Sequence, residues 1–256
     1  MPRSYRDIPP ELARRTSLLM TDVDGTLTTE DGSIDSSVPN AIRRLQAAGI
    51  TVGLVSGRNL PRLDALADYL AVGGPIIAEN GAVARVARGG NLIELGHSRQ
   101  PSLDALALLK RLYPGNIRER EDNAVRLVDV VFWADGVATD ELREHTGDIQ
   151  VLDSGYILHL MPPGISKGAT LLHLLHSLCR PPDSDLSPDD LMVFGDSATD
   201  LSLFELFTNS VLIPNPLLDR ELTIAIDQAA SYTAKSPAGT GFSEVAHYIA
   251  DLRRAI

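Results

Sequence analysis

Two aspartates separated by one residue stand at the end of a short apolar segment, in the sequence Asp22-Val23-Asp24-Gly25-Thr26. The segment 17–21 predicts a buried strand, and side chains at positions i and i+2 of a strand point to the same side. Both carboxylates therefore leave the strand towards one pocket, and Gly25 allows the backbone to turn sharply behind them. A carboxylate nucleophile beside a carboxylate acid and base would use this arrangement. A strand that simply ends in an Asp-Gly turn is the alternative.

Two further groups could hold a phosphate, one at Ser56 and Gly57 and the other at Lys167. The Ser56 hydroxyl, the Gly57 amide and the N-terminus of the next helix together suit an anion, although Asn59 could simply cap that helix. Lys167 stands at the start of a predicted helix, where the helix dipole disfavours a cation by roughly 0.3–1 kcal/mol. A bound anion would remove this penalty, and a solvated lysine is the alternative.

A fourth group, Gly195-Asp196-Ser197-Ala198-Thr199-Asp200, follows another predicted strand. A capping box made by Ser197 and Asp200 would explain those two residues but would leave Asp196 without a role. Carboxylates that gather at neighbouring strand ends would repel one another, and a divalent cation would relieve the repulsion. An oxygen-rich, partly hydrated site suits magnesium.

Strand and helix patterns alternate up to Ala82 and again after Lys167. Alternation with short connections predicts a parallel sheet with helices on both faces. Between these stretches the pattern changes to a hairpin around Gly89-Gly90 and then to mixed strands and helices. We therefore expect an α/β protein with a Rossmann-like parallel-sheet core over 1–83 and 162–256 and an inserted α+β cap over 84–161. The predicted strands are 17–21, 50–55, 75–78, 82–86, 91–95, 126–133, 149–152, 156–161, 191–194 and 211–213, and the predicted helices are 37–48, 60–70, 103–113, 139–145, 169–179, 199–207, 220–229 and 242–254.

The composition restricts the class of protein. The chain has 256 residues, of which 44% are hydrophobic and 22% are charged, as in an ordinary globular protein. The net charge of 23 − 34 = −11 argues against a nucleic-acid partner, and no apolar run is long enough to cross a bilayer, so no membrane partner is expected. The single cysteine, Cys179, excludes an internal disulfide, and the residues after Met1 do not form a secretory signal. We expect a cytoplasmic protein, and a homodimer is one option for its assembly.

The four polar groups, in this order, resemble the four motifs of the haloacid dehalogenase superfamily of phosphatases. Asp22-Val23-Asp24-Gly25-Thr26 matches the first motif, Ser56 the second, Lys167 the third and Gly195-Asp196-(x)3-Asp200 the fourth. The insert lies between the second and third motifs, as in the type IIB branch with its α+β cap. Thr199 departs from the pattern, because many relatives carry Asn there, and this affects an outer hydrogen bond rather than the mechanism.

The resemblance implies a role for each matched residue. Asp22 would attack phosphorus and become an aspartyl-phosphate. Asp24 would protonate the leaving oxygen and then deprotonate the water that hydrolyses the intermediate. Ser56, Gly57 and Lys167 would hold the transferred phosphoryl group.

The resemblance also implies Mg²⁺ as cofactor. Asp22, the backbone carbonyl of Asp24 and Asp196 would hold the ion, and Asp200 would support it directly or through water. Phosphoryl transfer needs in-line positioning and neutralised oxygen charge, which agrees with an acidic metal site beside a lysine.

Within this branch the short cap resembles that of archaeal-type phosphoglycolate phosphatases, which implies a small phosphorylated metabolite, 2-phosphoglycolate, as substrate. A cap cation should face its carboxylate, and a solvated charge is the alternative for each arginine among the candidates, which are Arg118, Arg120, Arg126 and His159. Sugar-phosphate and glycosyl-phosphoglycerate phosphatases of the same branch are alternative identities. A phosphomannomutase-like phosphotransferase and a catalytically silent binding protein are further alternatives.

Two other patterns admit two interpretations each. Glu79-Asn80-Gly81 recurs in the same branch and predicts either an Asn-Gly turn or a place near the substrate. His173, His176 and Cys179 recur every three residues on one predicted helix and could be drawn as metal ligands. Leucines surround them, however, so we expect a packed amphipathic helix there.

Overall fold

The computed structural model describes residues 1–93, 95–155, 157–178, 186–216 and 220–254. Within these ranges the chain forms a nine-stranded sheet and a four-stranded sheet. The strands, in chain order, are β1 (Arg3–Ser4), β2 (Leu18–Thr21), β3 (Thr51–Val55), β4 (Ile76–Ala78), β5 (Val83–Arg85), β6 (Leu92–Ile93), β7 (Ile117–Glu119), β8 (Val130–Ala134), β9 (Gln150–Asp153), β10 (Leu158–Met161), β11 (Leu191–Gly195), β12 (Ser210–Leu212) and β13 (Tyr232–Thr233). The α-helices are α1 (Pro10–Arg15), α2 (Val38–Ala47), α3 (Leu60–Leu70), α4 (Gln100–Leu112), α5 (Thr139–Arg143), α6 (Lys167–Leu178), α7 (Leu201–Leu206), α8 (Arg220–Ala229) and α9 (Ala238–Arg254). Short 3-10 segments lie at Tyr5–Asp7, Glu79–Gly81, Glu121–Val125, Pro188–Asp190 and Ala198–Asp200.

The larger sheet has the strand order β1-β13-β12-β11-β2-β3-β4-β5-β6. Its strands pair in parallel from β1 to β4, and β5 and β6 continue it in antiparallel pairing. β2 lies between β11 and β3, and all of its residues are buried. Leu19 packs into the apolar cluster on one face and Met20 into the cluster on the other face, as the two-residue period of a strand requires. The predicted α/β class is confirmed.

Helices cover both faces of this sheet. Residues of α1, α2, α3 and α9 belong to the apolar cluster on one face, and residues of α6, α7 and α8 belong to the other. α9 begins at Ala238, earlier than the predicted Phe242, although Gly239 and Gly241 lie in its first turn. A Cβ atom at Gly239 would lie 2.3 Å from the Asp35 Cβ atom, so the missing side chain permits close packing of the helix start. Gly239 is therefore a packing residue.

The smaller sheet forms the cap, with the antiparallel order β7-β8-β10-β9. Together with α4 and α5 it encloses its own apolar cluster, which includes Leu109, Phe132 and Leu160. This is the α+β module that the sequence predicts, with the addition of β7, which was not predicted. The predicted strand 126–133 begins only at Val130, because the backbone N–H groups of 127–129 donate to Glu79 instead of to a neighbouring strand.

The predicted hairpin around Gly89-Gly90 forms, but it belongs to the larger sheet. β5 pairs with β4, with Ala84 opposite Ile77, and β6 pairs with β5. Val83 and Ala84 are buried in the apolar clusters of the core, and this burial fixes the hairpin to that sheet. The prediction places this hairpin in a cap over 84–161, whereas it pairs with the core sheet, and we therefore propose cap limits of about 97–161.

Some predicted features lie outside the described residues, namely Tyr156, Cys179, the loop residues 180–185 and the side chain of His176. Where α6 is described, Leu171, Leu174 and Leu175 are buried and His173 is exposed, as a packed amphipathic helix requires. Throughout the described part of the chain, each helix is too short or too polar to cross a membrane.

Candidate active site

The carboxyl ends of β2, β3 and β11 bring the predicted polar groups to one edge of the larger sheet. Asp22 follows β2 and is buried, and its backbone N–H donates to the Phe194 carbonyl at 2.9 Å. The Nζ atom of Lys167 lies 2.7 Å from Asp22 Oδ1 and 2.7 Å from Asp200 Oδ1. One buried ammonium group therefore joins the first and the fourth polar groups of the sequence.

Burial and neighbouring charges set the ionisation of this pair. Burial raises the pKa of Asp22 well above its ordinary value, Lys167 opposes this shift, and the carboxylates of Asp200, Asp196 and Asp24 add to it. Burial alone would lower the pKa of Lys167, but the carboxylates of Asp200 and Asp22 outweigh it and raise that pKa. Lys167 is thus held as a cation against the Asp22 carboxylate.

Asp196 is buried beside this pair and has neutral hydrogen-bond partners. Its Oδ1 atom accepts from the Thr26 hydroxyl at 2.8 Å, and its Oδ2 atom accepts from Asn215 Nδ2 at 2.6 Å. Burial, helped by the Asp200 carboxylate, raises the pKa of Asp196 to about 7. Gly25, at φ +83°, passes so close that a Cβ atom there would lie 2.3 Å from Asp196 Oδ2.

The acidic cluster fits a divalent cation. Carboxylate oxygens of Asp22, Asp196 and Asp200 lie within 4.8 Å of one another, and all three residues are buried. Three carboxylates and the single ammonium of Lys167 give a formal charge of −3 + 1 = −2 when all are ionised. Hard oxygen ligands with two uncompensated negative charges are what Mg²⁺ requires. The donor set therefore fits the predicted metal.

Asp200 has a second function through its other oxygen. Asp200 Oδ2 accepts from the backbone N–H groups of Asp196 and Ser197, both at 3.0 Å, in a capping box. The capping box is confirmed, and it uses one oxygen of the Asp200 carboxylate while the other oxygen contacts Lys167. Thr199 lies at the rim of this turn, where its hydroxyl is 2.9 Å from the Ser197 hydroxyl.

Asp24 faces an arginine whose role the sequence did not indicate. Arg58 Nε lies 2.9 Å from Asp24 Oδ2, and Arg58 Nη2 lies 2.5 Å from Asp24 Oδ1. Two parallel N–H donors fix both the place and the rotation of a carboxylate. Both side chains remain partly exposed, so Asp24 is held in place while it stays within reach of a substrate.

The loop after β3 carries Ser56 and Gly57. Ser56 is buried, and its hydroxyl oxygen accepts from the backbone N–H of Arg58 at 3.1 Å. Asn59 caps α3, since its Oδ1 atom accepts from the Arg62 N–H at 3.1 Å. A helix N-terminus therefore follows directly behind Ser56 and Gly57, where an anion would benefit from it.

The segment Glu79-Asn80-Gly81 is a strained turn that joins the core to the cap. Glu79 and Asn80 have φ values of +53° and +55°, a region that costs most residues about 1–2 kcal/mol each. The buried Glu79 carboxylate accepts from the N–H groups of Leu127, Val128 and Asp129, each at 2.9 Å. Burial raises the pKa of Glu79 despite these three donors. The strain is maintained by contacts that both side chains make.

Arg126 reaches from the cap to the Ser56–Gly57 loop. Its Nη1 atom lies 3.0 Å from the Gly57 carbonyl oxygen and 2.7 Å from Asp129 Oδ2, and its Nη2 atom lies 3.2 Å from Asp122 Oδ2. The side chain is buried, and its charge is neutralised by these two aspartates. Arg126 therefore holds the Ser56–Gly57 loop in place and is itself fully engaged.

The sequence was compared with those of known families and proteins. The model of the haloacid dehalogenase-like hydrolase family matches residues 19–125 and 116–217. The chain belongs to this family. The hydrolase is 32% identical over 232 residues to a phosphoglycolate phosphatase of Methanoculleus marisnigri, covering 88% of this chain and 93% of the relative. It is 29% identical over 231 residues to a phosphoglycolate phosphatase of Methanospirillum hungatei, covering 89% and 94%.

Solved structures support the fold of the hydrolase. The crystal structure of Thermoplasma acidophilum 0175 superposes with a TM-score of 0.79 at 24% identity and covers 93% of this chain and 99% of that one. The sucrose-phosphatase of Synechocystis sp. PCC6803 superposes with a TM-score of 0.68 at 19% identity and covers 92% and 98%. These superpositions confirm the predicted fold, whereas the family model and the named relatives confirm the family and the class of phosphatase.

The structure places the predicted cap cations in different surroundings. Arg118 is exposed, pairs with Asp135 at 2.9 Å and lies over the Trp133 ring, so it stands apart from the polar groups above. Arg120 also lies over the Trp133 ring, and it pairs with Asp122 at 2.9 Å. Arg126 and His159 are buried beside the loops of the core. Of the four candidates, these last two adjoin the site.

The sequence indicated no role for Arg58 or Asn215, and for Glu79 it indicated only a turn or a place near the substrate, not its contacts with the cap. Asn215 stands between two prolines after β12, and the signal that could have found it is a polar residue at the carboxyl end of a sheet strand. Arg58 directly follows the predicted phosphate loop, which is a comparable signal. For the partners of Glu79, which lie in the cap, the sequence offers no local signal.

Proposed function

We propose that the protein is a Mg²⁺-dependent phosphatase that hydrolyses a small phosphorylated metabolite, 2-phosphoglycolate, through an aspartyl-phosphate on Asp22. The observation that carries the proposal is the Asp22 carboxylate at a strand end, 2.7 Å from Lys167 and within one buried cluster with Asp196 and Asp200. A carboxylate nucleophile needs a neighbouring cation to accept the oxygens of a phosphoryl group. Lys167 meets this need.

Asp22 and Asp24 divide the chemistry between them. An oxygen of Asp22 attacks phosphorus, the bond from phosphorus to the substrate oxygen breaks, and Asp24 gives that oxygen a proton. Water then attacks the phosphorus of the aspartyl-phosphate and gives a proton to Asp24, which releases inorganic phosphate and restores Asp22. The paired N–H donors of Arg58 support this role, because they hold Asp24 in one orientation.

Ser56, Gly57 and Lys167 would hold the phosphoryl oxygens, with the N-terminus of α3 behind the loop. Asp22, Asp196 and Asp200 would hold Mg²⁺, and the backbone carbonyl of Asp24 is a further ligand by family resemblance. A bound Mg²⁺ supplies charge neutralisation for the phosphoryl oxygens. The charge of the acidic cluster supports this assignment.

Phosphoglycolate as substrate is supported by the phosphatases of that name among the relatives, at 32% and 29% identity. The sucrose-phosphatase has a similar fold at 19% identity, and a sugar phosphate is therefore the alternative substrate class. The core chemistry is the same in both cases.

The test is phosphate release with Mg²⁺ from phosphoglycolate, several sugar phosphates, a glycosyl-phosphoglycerate and an aryl phosphate. We expect the highest kcat/KM for phosphoglycolate and no turnover in the presence of excess chelator. A preference for a sugar or glycosyl phosphate would agree with phosphatase activity but would refute phosphoglycolate as the substrate. No release from any compound by protein that binds Mg²⁺ would refute the phosphatase itself.

A further inference from the structure

His159 stands out in the cap because it is buried and has an unpartnered ring nitrogen. It lies on β10, and only 3% of its side chain is exposed. The Nδ1 atom lies 2.7 Å from Asp129 Oδ2 and 3.2 Å from Asn80 Nδ2. In the part of the chain that the structure describes, Nε2 has no hydrogen-bond partner. The atom is not sealed off from solvent. Nε2 is therefore open to a ligand.

Asp129 determines which nitrogen stays available. A carboxylate can only accept, so Nδ1 carries the proton that lies between the two groups. Asp129 is itself fully buried and is shared with Arg126, which fixes it from a second direction. The ring therefore cannot turn without losing a buried hydrogen bond, and Nε2 is presented in one direction. Since Nδ1 already donates to Asp129, Nε2 can donate to an anion only when both ring nitrogens carry a proton.

His159 is joined to the phosphate-binding loop by two separate contacts. Asn80 contacts the ring, and the same side chain lies so close to Gly57 that a Cβ atom there would be 3.0 Å from Asn80 Oδ1. Arg126 contacts Asp129 on one side and the Gly57 carbonyl on the other. The ring is thus placed next to the loop that would hold the phosphate. A short substrate with a second anionic group a few bonds from phosphorus could reach both the loop and the ring.

The other cap cations are less suited to a second anionic group. Arg126 is neutralised by Asp122 and Asp129, and Arg120 also pairs with Asp122. Arg118 is exposed and pairs with Asp135. Of the two candidates that adjoin the core loops, Arg126 has all three guanidinium nitrogens engaged, whereas His159 Nε2 has no protein partner among the described residues.

We propose that Nε2 of His159 binds the carboxylate of the substrate and that Asp129 is the positioning residue that fixes the ring. This inference rests on the proposed phosphatase function and names the group that selects a phosphorylated carboxylic acid over a neutral phosphate ester. The Nε2–H donor would form a charge-assisted hydrogen bond with a carboxylate oxygen.

The experiment uses two substrates of similar size, phosphoglycolate and 2-hydroxyethyl phosphate, which carries a hydroxymethyl group in place of the carboxylate. His159→Asn deletes Nε2 but keeps an amide N–H near the position of Nδ1, so the contact with Asp129 can persist. We expect KM for phosphoglycolate to rise about 10- to 100-fold with kcat changed less than about threefold, as for the loss of one charged hydrogen bond made equally in the ground and transition states. Kinetics with 2-hydroxyethyl phosphate should change less than about twofold, so that the preference for the carboxylate collapses.

Three further variants separate binding from structure. His159→Gln carries an amide near the position of Nε2 and should recover part of the preference. Asp129→Asn should lower the preference with a smaller effect on 2-hydroxyethyl phosphate, because the ring is no longer fixed. Arg118→Ala, a cap cation outside the site, should match the wild type on both substrates. Circular dichroism and unfolding curves identify any variant that fails to fold. If His159→Asn misfolds, His159→Gln is the decisive variant. We then expect its KM for phosphoglycolate to be raised more than its KM for 2-hydroxyethyl phosphate.

Two results would overturn the inference. One is an unchanged preference for phosphoglycolate in folded His159→Asn, and the other is an equal loss with both substrates, which would mark a structural role. Failure of the proposed function is distinguishable, since the wild type would then release no phosphate from either compound. In that case calorimetry measures the binding of the two compounds to the Mg²⁺-loaded wild type and to His159→Asn. A wild type that binds both compounds with equal affinity would refute the inference.

Discussion

Replacing Glu79 with alanine removes one carboxylate that anchors the cap to the core. In the wild type it accepts three backbone N–H groups, from Leu127, Val128 and Asp129, each at 2.9 Å. A hydrogen bond to a charged group contributes about 1.5–3 kcal/mol, so three of them give a gross value of about 4.5–9 kcal/mol. The cost of burying the carboxylate, visible in its raised pKa, offsets part of this. We expect a net loss of about 3–5 kcal/mol in the free energy of unfolding.

Thermal unfolding followed by circular dichroism measures this loss. For a chain of this size, about 2–4 °C per kcal/mol predicts a decrease in Tm of about 6–20 °C. Glu79→Gln keeps one acceptor oxygen and should give a smaller decrease. Glu121→Ala, an exposed glutamate of the same cap, is the matched control and should change Tm by less than about 2 °C.

The pH dependence gives an independent check. Because burial raises the folded pKa of Glu79, its stabilising contribution is present below the ordinary glutamate pKa and is lost as the pH rises through the folded value. The difference in Tm between the wild type and Glu79→Gln should therefore narrow from pH 5 to pH 8. A Glu79→Ala protein with the Tm of the wild type would refute the idea that this carboxylate anchors the cap. A difference in Tm that widens with pH would refute the argument that burial outweighs the three hydrogen bonds in setting the pKa of Glu79.

Three further predictions concern the core. Asp22→Asn should fold normally and lose at least about 10³-fold in kcat, since an amide cannot attack phosphorus, and magnesium-dependent activity above a trace in a phosphate-release assay would contradict the nucleophile assignment. Burial raises the pKa of Asp196 to about 7, so stability from its protonated form is lost as the pH rises through that value. The Tm of metal-free protein should fall from pH 6 to pH 8 while the gain in Tm on adding Mg²⁺ grows, and a gain that shrinks would contradict the ligand assignment. Gly25→Ala should weaken Mg²⁺ binding by at least about tenfold in calorimetry, because its Cβ would lie 2.3 Å from Asp196 Oδ2. Gly32→Ala is the control, since Gly32 also has a positive φ, of +78°, but a Cβ atom there would have no neighbour within 4 Å. It should bind Mg²⁺ normally and lose only about 1–2 kcal/mol of stability.

The core of the site could be predicted because it depends on strand ends. Asp22 and Asp196 each follow a short apolar strand, and parallel strands present their carboxyl ends at one edge of a sheet. Once the alternation of strands and helices indicates a parallel sheet, these side chains must gather. Lys167 begins α6 rather than following a strand of this sheet, so its contacts with Asp22 and Asp200 do not follow from the strand ends.

The contacts between cap and core could not be predicted, because they join residues with no shared pattern. Glu79 and Asp129 are 50 positions apart, and no periodicity relates them. The difference between exposed Arg118 and buried Arg126 depends on where Asp135, Asp122 and Asp129 lie in space. The hairpin of β5 and β6 was recognised, but its sheet is decided by its partner β4, which local sequence does not specify.

The pairing of β1 with β13 has a consequence for synthesis of the chain. Arg3 and Tyr232 make contact across 229 positions, and β2 receives its partner β11 only when residues near Leu191 have been made. At about 5–20 residues per second, a ribosome would add the partner of β1 about 10–50 s after making Arg3. Until the residues near Leu191 have been made, β2 can pair with β3 alone and exposes its other edge, with Asp22 next to it. The cap, whose strands lie close together in sequence, can fold earlier, so the nascent enzyme would carry a finished cap before it has a catalytic centre.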